Sequence, residues 1–257
     1  MSPFEMTRAN LLGTGISAIN MQEAVRLLES RVASGEKGYV CVTGVHGIME
    51  AQRDPAFRRV LNESFLTTPD GMPTVWIGKL QGHSNMGRVY GPDLMLEVCK
   101  LSLGCGQTHY LYGGRAGVAE RLSASLARRF PGIKIVGTYT PPFRKLSEDE
   151  ENELIQAVAR LKPDLFWVGL STPKQERFMA EYLPKLETKL MIGVGAAFDI
   201  HAGLLKDSPS WVKKTGMQWC HRLIQEPRRL WKRYLVNNPL FLWKIALQLG
   251  GLRRYTI

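Results

Sequence analysis

The sequence contains few cysteines, and none of them are paired in a motif. Its four cysteines, Cys41, Cys99, Cys105 and Cys220, lie far apart and form no CxxC pair. This spacing argues against a zinc ribbon or a disulfide scaffold and is typical of a protein in a reducing compartment. We therefore expect an ordinary hydrophobic core, which 257 residues with 44% hydrophobic composition can supply.

A long apolar run is also missing. The longest apolar stretch, residues 240–249, is only about ten residues long and contains Lys244. A helix needs about 20 mostly apolar residues to cross a bilayer. The first 35 residues show no leader pattern of a charged segment followed by an apolar one. We expect a cytoplasmic protein without a transmembrane helix.

The third absence is that of metal and nucleotide motifs. The five histidines show no HxH or HExxH spacing, and the chain has no DxD-type loop, GxSxG motif or P-loop. The acidic run at residues 148–151 opens a predicted helix, where negative charge complements the helix dipole. We therefore predict no metal site and no cofactor, so that side chains and backbone N–H groups would neutralise any bound phosphate.

Positive charge is concentrated at the C-terminal end. Of the net charge of +11, residues 203–257 carry +9 and the first 202 residues only +2. This segment lacks strand patterns and has Trp, Leu and Tyr at roughly helical spacing. We predict an α/β domain over residues 1–202 and a basic appendage of two or three amphipathic helices over residues 203–257. Such a segment favours an anionic partner: phosphate, nucleic acid or a lipid surface.

Short β-rich runs alternate with helical patterns up to about residue 200. A helical stretch is predicted from His46 to Leu61, and further helices from Val118, from Ser147 through a capping box with Glu150, and from Pro173. The predicted strands are 39–43, 108–112, 133–139, 164–170 and 190–194. This alternation predicts a Rossmann-like, mostly parallel sheet with helices on both faces. Ligands of such sheets bind beyond the carboxyl ends of the strands.

The loop Thr68-Pro-Asp-Gly-Met-Pro73 has two interpretations. An Asp-Gly pair between prolines is typical of a turn with a purely structural role. Alternatively, the rigid loop holds the Asp70 carboxylate as a general base, a role that contributes about 10²- to 10⁴-fold to a reaction rate. The residues alone leave both open.

Three strand-to-helix turns are candidate phosphate or sugar sites. Gly113-Gly114 follows one strand, and Gly193-Val-Gly195-Ala-Ala-Phe198-Asp199 follows another, so that backbone N–H groups could approach a phosphate. Phe198 stands where a dinucleotide fingerprint has its third glycine, which argues against NAD. The turn from Ser171 to Gln175 is either a simple helix cap or a site for sugar hydroxyls or phosphate.

Several stretches together resemble the WecG/TagA/CpsF family of bacterial glycosyltransferases, glycosyltransferase family 26. They run in order over about residues 40–235. They are Val42-Thr43 through Glu50-Ala51, Thr68–Pro73, Arg88-Val-Tyr-Gly-Pro-Asp93, Gly169-Leu-Ser-Thr-Pro-Lys-Gln-Glu176, Gly193–Asp199, and Arg222-Leu, Glu226-Pro, Arg229-Leu and Arg233-Tyr234.

The resemblance implies an inverting, metal-independent transfer of a sugar from a UDP-sugar to an undecaprenyl-pyrophosphate-linked saccharide in cell-surface polysaccharide biosynthesis. It implies that Asp70 is the catalytic base. His46, which follows the Val-Thr strand where relatives often carry Asn, is expected to replace an amide contact. The predicted substrate-binding residues are Thr43, His46, Arg88, Gly113, Gly114, Gln175, Gly195, Phe198, Asp199, Arg222, Arg229 and Arg233.

The expected partners are a UDP-sugar donor, a polyprenyl-pyrophosphate-linked acceptor and an anionic membrane surface on the cytoplasmic side. No nucleic acid is expected, and a homo-oligomer is compatible with the sequence. N-acetylmannosamine, its uronic acid, glucose and glucuronic acid are all candidate sugars. Two other functions stay open on the residues alone, a non-catalytic nucleotide-binding regulator and a basic nucleic-acid-binding module.

The aromatic residues of the C-terminal segment have two interpretations as well. In the first, five apolar side chains enter the lipid interface. In the second, they pack on the body of the protein as ordinary core. The residues concerned are Trp231, Leu235, Leu240, Phe241 and Trp243.

Overall fold

The fold is α/β, as predicted, with a six-stranded parallel sheet and helices that flank it. The computed structural model describes residues 6–257, except for the side chains of Ser210 and Lys214. The first five residues, part of the stretch searched for a leader, lie outside the described residues. The strands are β1 (Arg8–Leu11), β2 (Thr14–Ser17), β3 (Gly38–Thr43), β4 (Leu66–Pro69), β5 (Thr108–Gly113), β6 (Lys134–Tyr139), β7 (Leu165–Gly169) and β8 (Leu190–Gly193).

Strands β1 and β2 form a separate antiparallel pair, and the parallel sheet has the strand order β4–β3–β8–β7–β5–β6. The helices of the described chain are α1 (Met21–Ser34), α2 (Val45–Arg53), α3 (Pro55–Glu63), α4 (Met72–Leu80), α5 (Gly91–Cys105), α6 (Val118–Arg129), α7 (Glu148–Leu161), α8 (Lys174–Tyr182), α9 (Ala197–His201), α10 (Ser210–Lys214), α11 (Gln218–Gln225), α12 (Pro227–Trp231), a π-helix (Lys232–Val236) and α13 (Asn237–Leu249). No helix within residues 6–257 is long and apolar enough to cross a membrane.

The five predicted strands are confirmed to within two residues, but the predicted helix from His46 to Leu61 is wrong. Two helices, α2 and α3, occupy this stretch and meet at Asp54. Pro55 lacks a backbone N–H and stands in the first turn of α3, while the Asp54 carboxylate accepts the N–H groups of Ala56 and Phe57 at 2.9 and 3.1 Å. The capping box of Ser147 and Glu150 at the start of α7 is confirmed.

By contacts, the chain divides into two compact units. Among the described residues, the first unit comprises residues 6–21, Val42–Tyr90 and Asp207–Ile257, and the second comprises Gln22–Cys41 and Gly91–Lys206. The predicted functional division at residue 202 stays a prediction.

The core of the first unit joins the two ends of the chain. Leu12 and Ile16 of the β1–β2 region pack in one buried cluster with Phe241 and Ile245 of α13. The Gln248 side chain accepts the N–H of Leu12 at 2.9 Å and donates to the carbonyl oxygen of Asn10 at 2.8 Å. The predicted placement of Phe241 in a lipid interface is therefore wrong, because its ring belongs to this core.

The core of the second unit contains a buried polar chain among aromatic rings. The indole N–H of the fully buried Trp167 donates to Nδ1 of His109 at 3.0 Å, and Nε2 of His109 lies 2.8 Å from the Ser102 hydroxyl. Because Nδ1 accepts, His109 is neutral with its proton on Nε2. Burial lowers the pKa of His109 to about 4, against a smaller opposing effect of Asp164.

The C-terminal segment is helical after Ala202, as predicted, with no strand in the part that the structure describes. Its helices are shorter and more numerous than expected. Pro227 stands in the first turn of α12 and separates it from α11. We call residues 207–236, which precede α13, the basic arm.

Candidate active site

In the first unit, Asp70 lies directly beyond the carboxyl end of a strand. Strand β4 ends at Pro69 and α4 begins at Met72, so Asp70 stands in the two-residue link between them. Its N–H donates to the carbonyl oxygen of buried Thr43, the last residue of β3, at 3.1 Å. A Cβ on Gly44 would lie 3.8 Å from Asp70 Oδ2. The carboxylate therefore lies against the backbone where β3 turns into α2.

Arg88 connects the Asp70 link to the basic arm. Its Nε donates to the main-chain oxygen of Asp70 at 2.5 Å. One terminal nitrogen donates to the Lys213 carbonyl at 3.4 Å, and the other donates to Oε1 of Gln218. Three of the five guanidinium N–H groups are thus used within the protein, which gives Arg88 a positioning role for Asp70.

Tyr90 supports this arrangement. The guanidinium carbon of Arg88 lies 4.4 Å from the centroid of the Tyr90 ring, and Lys213 Nζ lies 4.8 Å from it. The Tyr90 hydroxyl donates to Asp207 at 2.9 Å, and Lys213 pairs with Asp207 at 2.6 Å. Burial raises the pKa of Tyr90, and the negative charge of Asp207 raises it further, so Tyr90 remains a hydrogen-bond donor. Arg222 lowers the same pKa and is therefore within electrostatic reach of Tyr90.

The three predicted arginines of the basic arm share one neighbourhood. Arg222 and Arg229 both pair with Glu226, at 3.3 and 2.5 Å. Burial lowers the pKa of Arg233, the positive charges of Arg222 and Arg229 lower it further, and Asp70 raises it. An arginine remains cationic under such shifts because its ordinary pKa lies above 12. Asp70 and the arm's arginines thus act electrostatically on the same guanidinium.

Three N–H donors of the arm are buried and have no acceptor within the described chain. They are Nε of Arg222, Nε of Arg233 and the amide nitrogen Nε2 of Gln218. Buried polar groups are nearly always hydrogen-bonded in a functional state, and charged donors bond best to anionic oxygens. This donor set suits a ligand with several negatively charged oxygens. Among residues 6–257, no three or more His, Cys, Asp or Glu side chains are grouped as metal ligands.

His46 lies in the first turn of α2 and contacts the start of α13. Its Nδ1 is 3.9 Å from the Glu50 carboxylate and accepts from the Asn237 amide at 3.4 Å. Arg53 donates to the same Asn237 amide group at 2.7 Å. His46 therefore helps join α2 to α13, and its role in place of an amide contact to a sugar donor stays a prediction.

In the second unit, glycines set the spacing of two neighbouring strand ends. Gly113, the last residue of β5, has a φ of +131° and lies so close to β7 that a Cβ on it would be 2.7 Å from the backbone of Gly169. The N–H of Gly114 donates to the Gly169 carbonyl at 3.0 Å. The Gly114 N–H, predicted to face a phosphate, is thus used within the protein.

Gln175 presents an oxygen atom at the start of α8. Its amide nitrogen donates to Oε1 of Glu176 at 3.1 Å, and the Thr172 hydroxyl donates to the same oxygen at 2.7 Å. Oε1 of Gln175 is buried and accepts no hydrogen bond within the described chain. A Cβ on Gly195 would lie 3.3 Å from this oxygen. The predicted residues Gln175 and Gly195 are therefore neighbours, and the amide is oriented as an acceptor.

Phe198 and Asp199 stand behind these turns. The Phe198 ring is 1% exposed and packs under Gly169, where a Cβ would come within 2.6 Å of it. The main-chain oxygen of Asp199 accepts the N–H groups of Leu204 and Leu205 at 2.8 and 3.1 Å. Phe198, predicted to bind substrate, is a packing residue in this structure.

Four residues that hold the arm, Tyr90, Asp207, Lys213 and Gln218, were not among the predicted site residues. Tyr90 lies inside the Arg88–Asp93 stretch that contributes to the family resemblance, so the sequence did point to this part of the chain. Asp207, Lys213 and Gln218 gave no signal, because their contacts with Arg88 and Tyr90 span more than a hundred residues.

The chain matches the model of the "Glycosyl transferase WecG/TagA/CpsF family" over residues 9–255. A relative from Bacillus subtilis (strain 168), named "N-acetylglucosaminyldiphosphoundecaprenol N-acetyl-beta-D-mannosaminyltransferase", is 30% identical over 72% of this chain and 70% of its own. Proteins of the same name from Bacillus spizizenii and Staphylococcus aureus (strain MRSA252) are 30% and 23% identical, over 81% and 93% of this chain and 79% and 92% of their own.

The family match covers nearly the whole chain, including the Asp70 link, the Gln175 turn and the basic arm. Its relatives are named as transferases, and the resemblance drawn from the sequence motifs is confirmed. The chain is a glycosyltransferase and belongs to the WecG/TagA/CpsF family.

Proposed function

We propose that this glycosyltransferase moves N-acetylmannosamine from a UDP-sugar to N-acetylglucosamine linked to undecaprenyl diphosphate, with inversion and without a divalent metal ion. The names of the relatives support this acceptor and this sugar. They also specify a β-D-mannosaminyl group, and its formation from an α-linked sugar nucleotide inverts the anomeric carbon.

The observation that carries the proposal is the combination of one carboxylate with several buried N–H donors in the first unit. Asp70 stands at a strand end, and Arg222, Arg233 and Gln218 offer donors that have no acceptor in the described chain. A nucleoside diphosphate supplies oxygens of the required charge. The charges of Asp70 and Arg222 both act on the Arg233 guanidinium, so the carboxylate and the N–H donors lie within electrostatic reach of one residue.

In the reaction, the acceptor hydroxyl loses its proton to the Asp70 carboxylate while its oxygen attacks the anomeric carbon of the donor. The bond between that carbon and the diphosphate oxygen breaks, and UDP leaves with the electron pair. The arginines of the arm stabilise the negative charge that develops on the leaving diphosphate. Arg88 holds the main chain of Asp70, so the base is fixed before the substrates meet.

The direct test is a transfer assay with an N-acetylglucosaminyl-diphosphate polyprenol acceptor and four donors: the UDP derivatives of N-acetylmannosamine, its uronic acid, glucose and glucuronic acid. We expect transfer from the N-acetylmannosamine donor in the presence of EDTA, with a β-linked product by NMR. Transfer of another sugar would correct the donor alone. No transfer from any of the four would contradict the proposed function.

We further propose that the C-terminal segment associates with the cytoplasmic face of the membrane. Of the five apolar side chains predicted to enter the lipid interface, four are exposed in the structure, namely Trp231, Leu235, Leu240 and Trp243. The same segment carries most of the chain's net positive charge, which favours anionic headgroups.

Because Phe241 and Ile245 are core residues, deletion of the segment would unfold the first unit, and point variants are needed. We expect Trp243→Ala with Leu240→Ala to reduce sedimentation with anionic vesicles. Phe143→Ala, which removes a similarly exposed ring from the second unit, is the control. Equal sedimentation of all three chains would contradict the membrane proposal.

A further inference from the structure

Gln218 is the residue of the basic arm for which neither the sequence motifs nor the relatives suggest a role. It begins α11, and its side-chain oxygen accepts a hydrogen bond from Arg88. Its amide nitrogen is buried and has no acceptor within the described chain. A half-satisfied buried amide costs free energy unless something completes it.

The orientation of this amide follows from the chemistry of Arg88. A guanidinium group has N–H donors and no acceptor, so only the oxygen of the Gln218 amide can face it. Arg88 is itself held by the Asp70 main-chain oxygen and by the ring of Tyr90. Arg88, which is bonded to the main chain of Asp70, therefore fixes the direction in which Gln218 presents its NH₂ group.

Gln218 and Arg222 are four residues apart on α11, so their side chains emerge from the same face of the helix. Both carry a buried N–H donor without an acceptor in the described chain, as does Arg233. Arg222 acts electrostatically on both Tyr90 and Arg233, which brings the Arg88–Tyr90 pair and the arginine group into one neighbourhood.

We propose that Gln218 is a ligand-binding residue: its amide N–H groups, oriented by Arg88, donate to the diphosphate of the sugar nucleotide together with Arg222 and Arg233. The inference rests on the proposed function, since it assigns a further contact in the same site. It also gives Arg88 a second positioning role, because the guanidinium that holds the main chain of Asp70 orients the Gln218 amide as well.

Gln218→Glu is the sharpest variant. A glutamate of the same length keeps an oxygen toward Arg88 and replaces the NH₂ group by a second oxygen, which repels a diphosphate. Because a hydrogen bond to a charged group contributes about 1.5–3 kcal/mol, we expect the Kd for UDP, measured by titration calorimetry, to rise by about 10- to 100-fold. Uridine, which has no phosphate, should bind the variant and the wild-type chain alike.

Two further variants keep the result interpretable. Gln218→Met removes both hydrogen bonds without adding charge, and it should raise the Kd for UDP by about tenfold. Gln225→Glu places the same new charge at the other end of α11, where the amide of Gln225 contacts His221. This control should change the Kd by less than about threefold, and all variants should keep the wild-type Tm.

The possible failures are distinguishable. If the wild-type chain binds UDP and Gln218→Glu binds it with equal affinity, the inference about Gln218 is wrong while the proposed function stands. If Gln225→Glu weakens UDP binding as strongly as Gln218→Glu, the effect is one of general charge, and the inference is also wrong. If the wild-type chain binds no UDP, the proposed function and this inference both fail.

Discussion

The two units position their predicted site residues by different means. In the first unit, long charged side chains from distant parts of the sequence meet around Asp70, and Arg88 ties them together. In the second unit, the strand ends are set by close backbone approach at Gly113 and by short-range contacts around Gln175. The first arrangement supplies charge and hydrogen-bond donors, whereas the second supplies shape and an acceptor.

Two glutamines, Gln218 and Gln175, illustrate this difference between the units. Gln218 turns its oxygen to Arg88 and leaves an NH₂ group, which suits phosphate oxygens. Gln175 turns its NH₂ group to Glu176 and leaves an oxygen, which suits a hydroxyl or an imide N–H. The same side chain thus becomes a donor in one unit and an acceptor in the other, because its neighbour decides which end remains.

The largest expected effect lies in the first unit. Asp70→Asn removes the base but keeps the size of the side chain, so we expect turnover in the transfer assay to fall by about 10²- to 10⁴-fold. The Kd for UDP should change by less than about threefold. Asp149→Asn, at an exposed position in the second unit, should leave turnover unchanged. Turnover near the wild-type rate in Asp70→Asn would exclude Asp70 as the base.

A substitution at Gly113 tests the backbone spacing of the second unit. Gly113→Ala combines a positive φ of +131° with a Cβ 2.7 Å from the Gly169 backbone. Because strain and overpacking each cost about 1–3 kcal/mol, we expect the free energy of unfolding in urea to fall by about 3 kcal/mol or more.

The matched control for Gly113 is Gly35, which has a φ of +73° and open space around a Cβ. Gly35→Ala should cost only about 1–2 kcal/mol, since it carries backbone strain without a clash. Equal losses in the two variants would show that the spacing of β5 and β7 is not tight.

The pH dependence of stability tests the buried polar chain of the second unit. The pKa of His109 is about 4 in the folded chain and about 6.5 in an unfolded one. The unfolded state therefore binds the proton first, so the contribution of neutral His109 is complete above pH 6.5 and is lost as the pH falls toward 4. Between pH 7 and pH 4.5 we expect a loss of roughly 2–3 kcal/mol from this group.

The measurement is the free energy of unfolding in urea at pH 7 and at pH 4.5, for the wild-type chain and for His109→Gln. The variant is expected to be less stable at pH 7 but to lose less stability on acidification. An identical loss on acidification in both chains would mean that His109 does not carry the effect.

The two units also differ in how much of their structure could be predicted from the sequence. The reason is again that one depends on local patterns and the other on contacts between distant residues. The second unit consists of strand–helix repeats with local signals, such as the buried run of β7 and the capping box of α7, and these were predicted correctly. The hairpin of β1 and β2 and the short strand β4 were missed, because each of these four-residue strands mixes polar and apolar residues, whereas the equally short β8 is an apolar run.

The predicted site residues of the two units differ in the same way. Asp70, Gln175 and the arm's arginines could be named from motifs, since each lies in a local pattern. Asp207, Lys213 and Gln218 could not, because their partners Arg88 and Tyr90 are brought to them only by the fold. Phe198 is the converse case, since a conspicuous position in a glycine-rich turn is occupied by a ring that is 1% exposed.

The central claim is that the donor's diphosphate is held by arginines and amide N–H groups in place of a divalent cation. Calorimetric titration of the wild-type chain with UDP, in EDTA and then in excess Mg²⁺ or Mn²⁺, tests it most directly. We predict the same Kd under all three conditions, to within about threefold. UDP binding that occurs only when the divalent cation is present would contradict the claim.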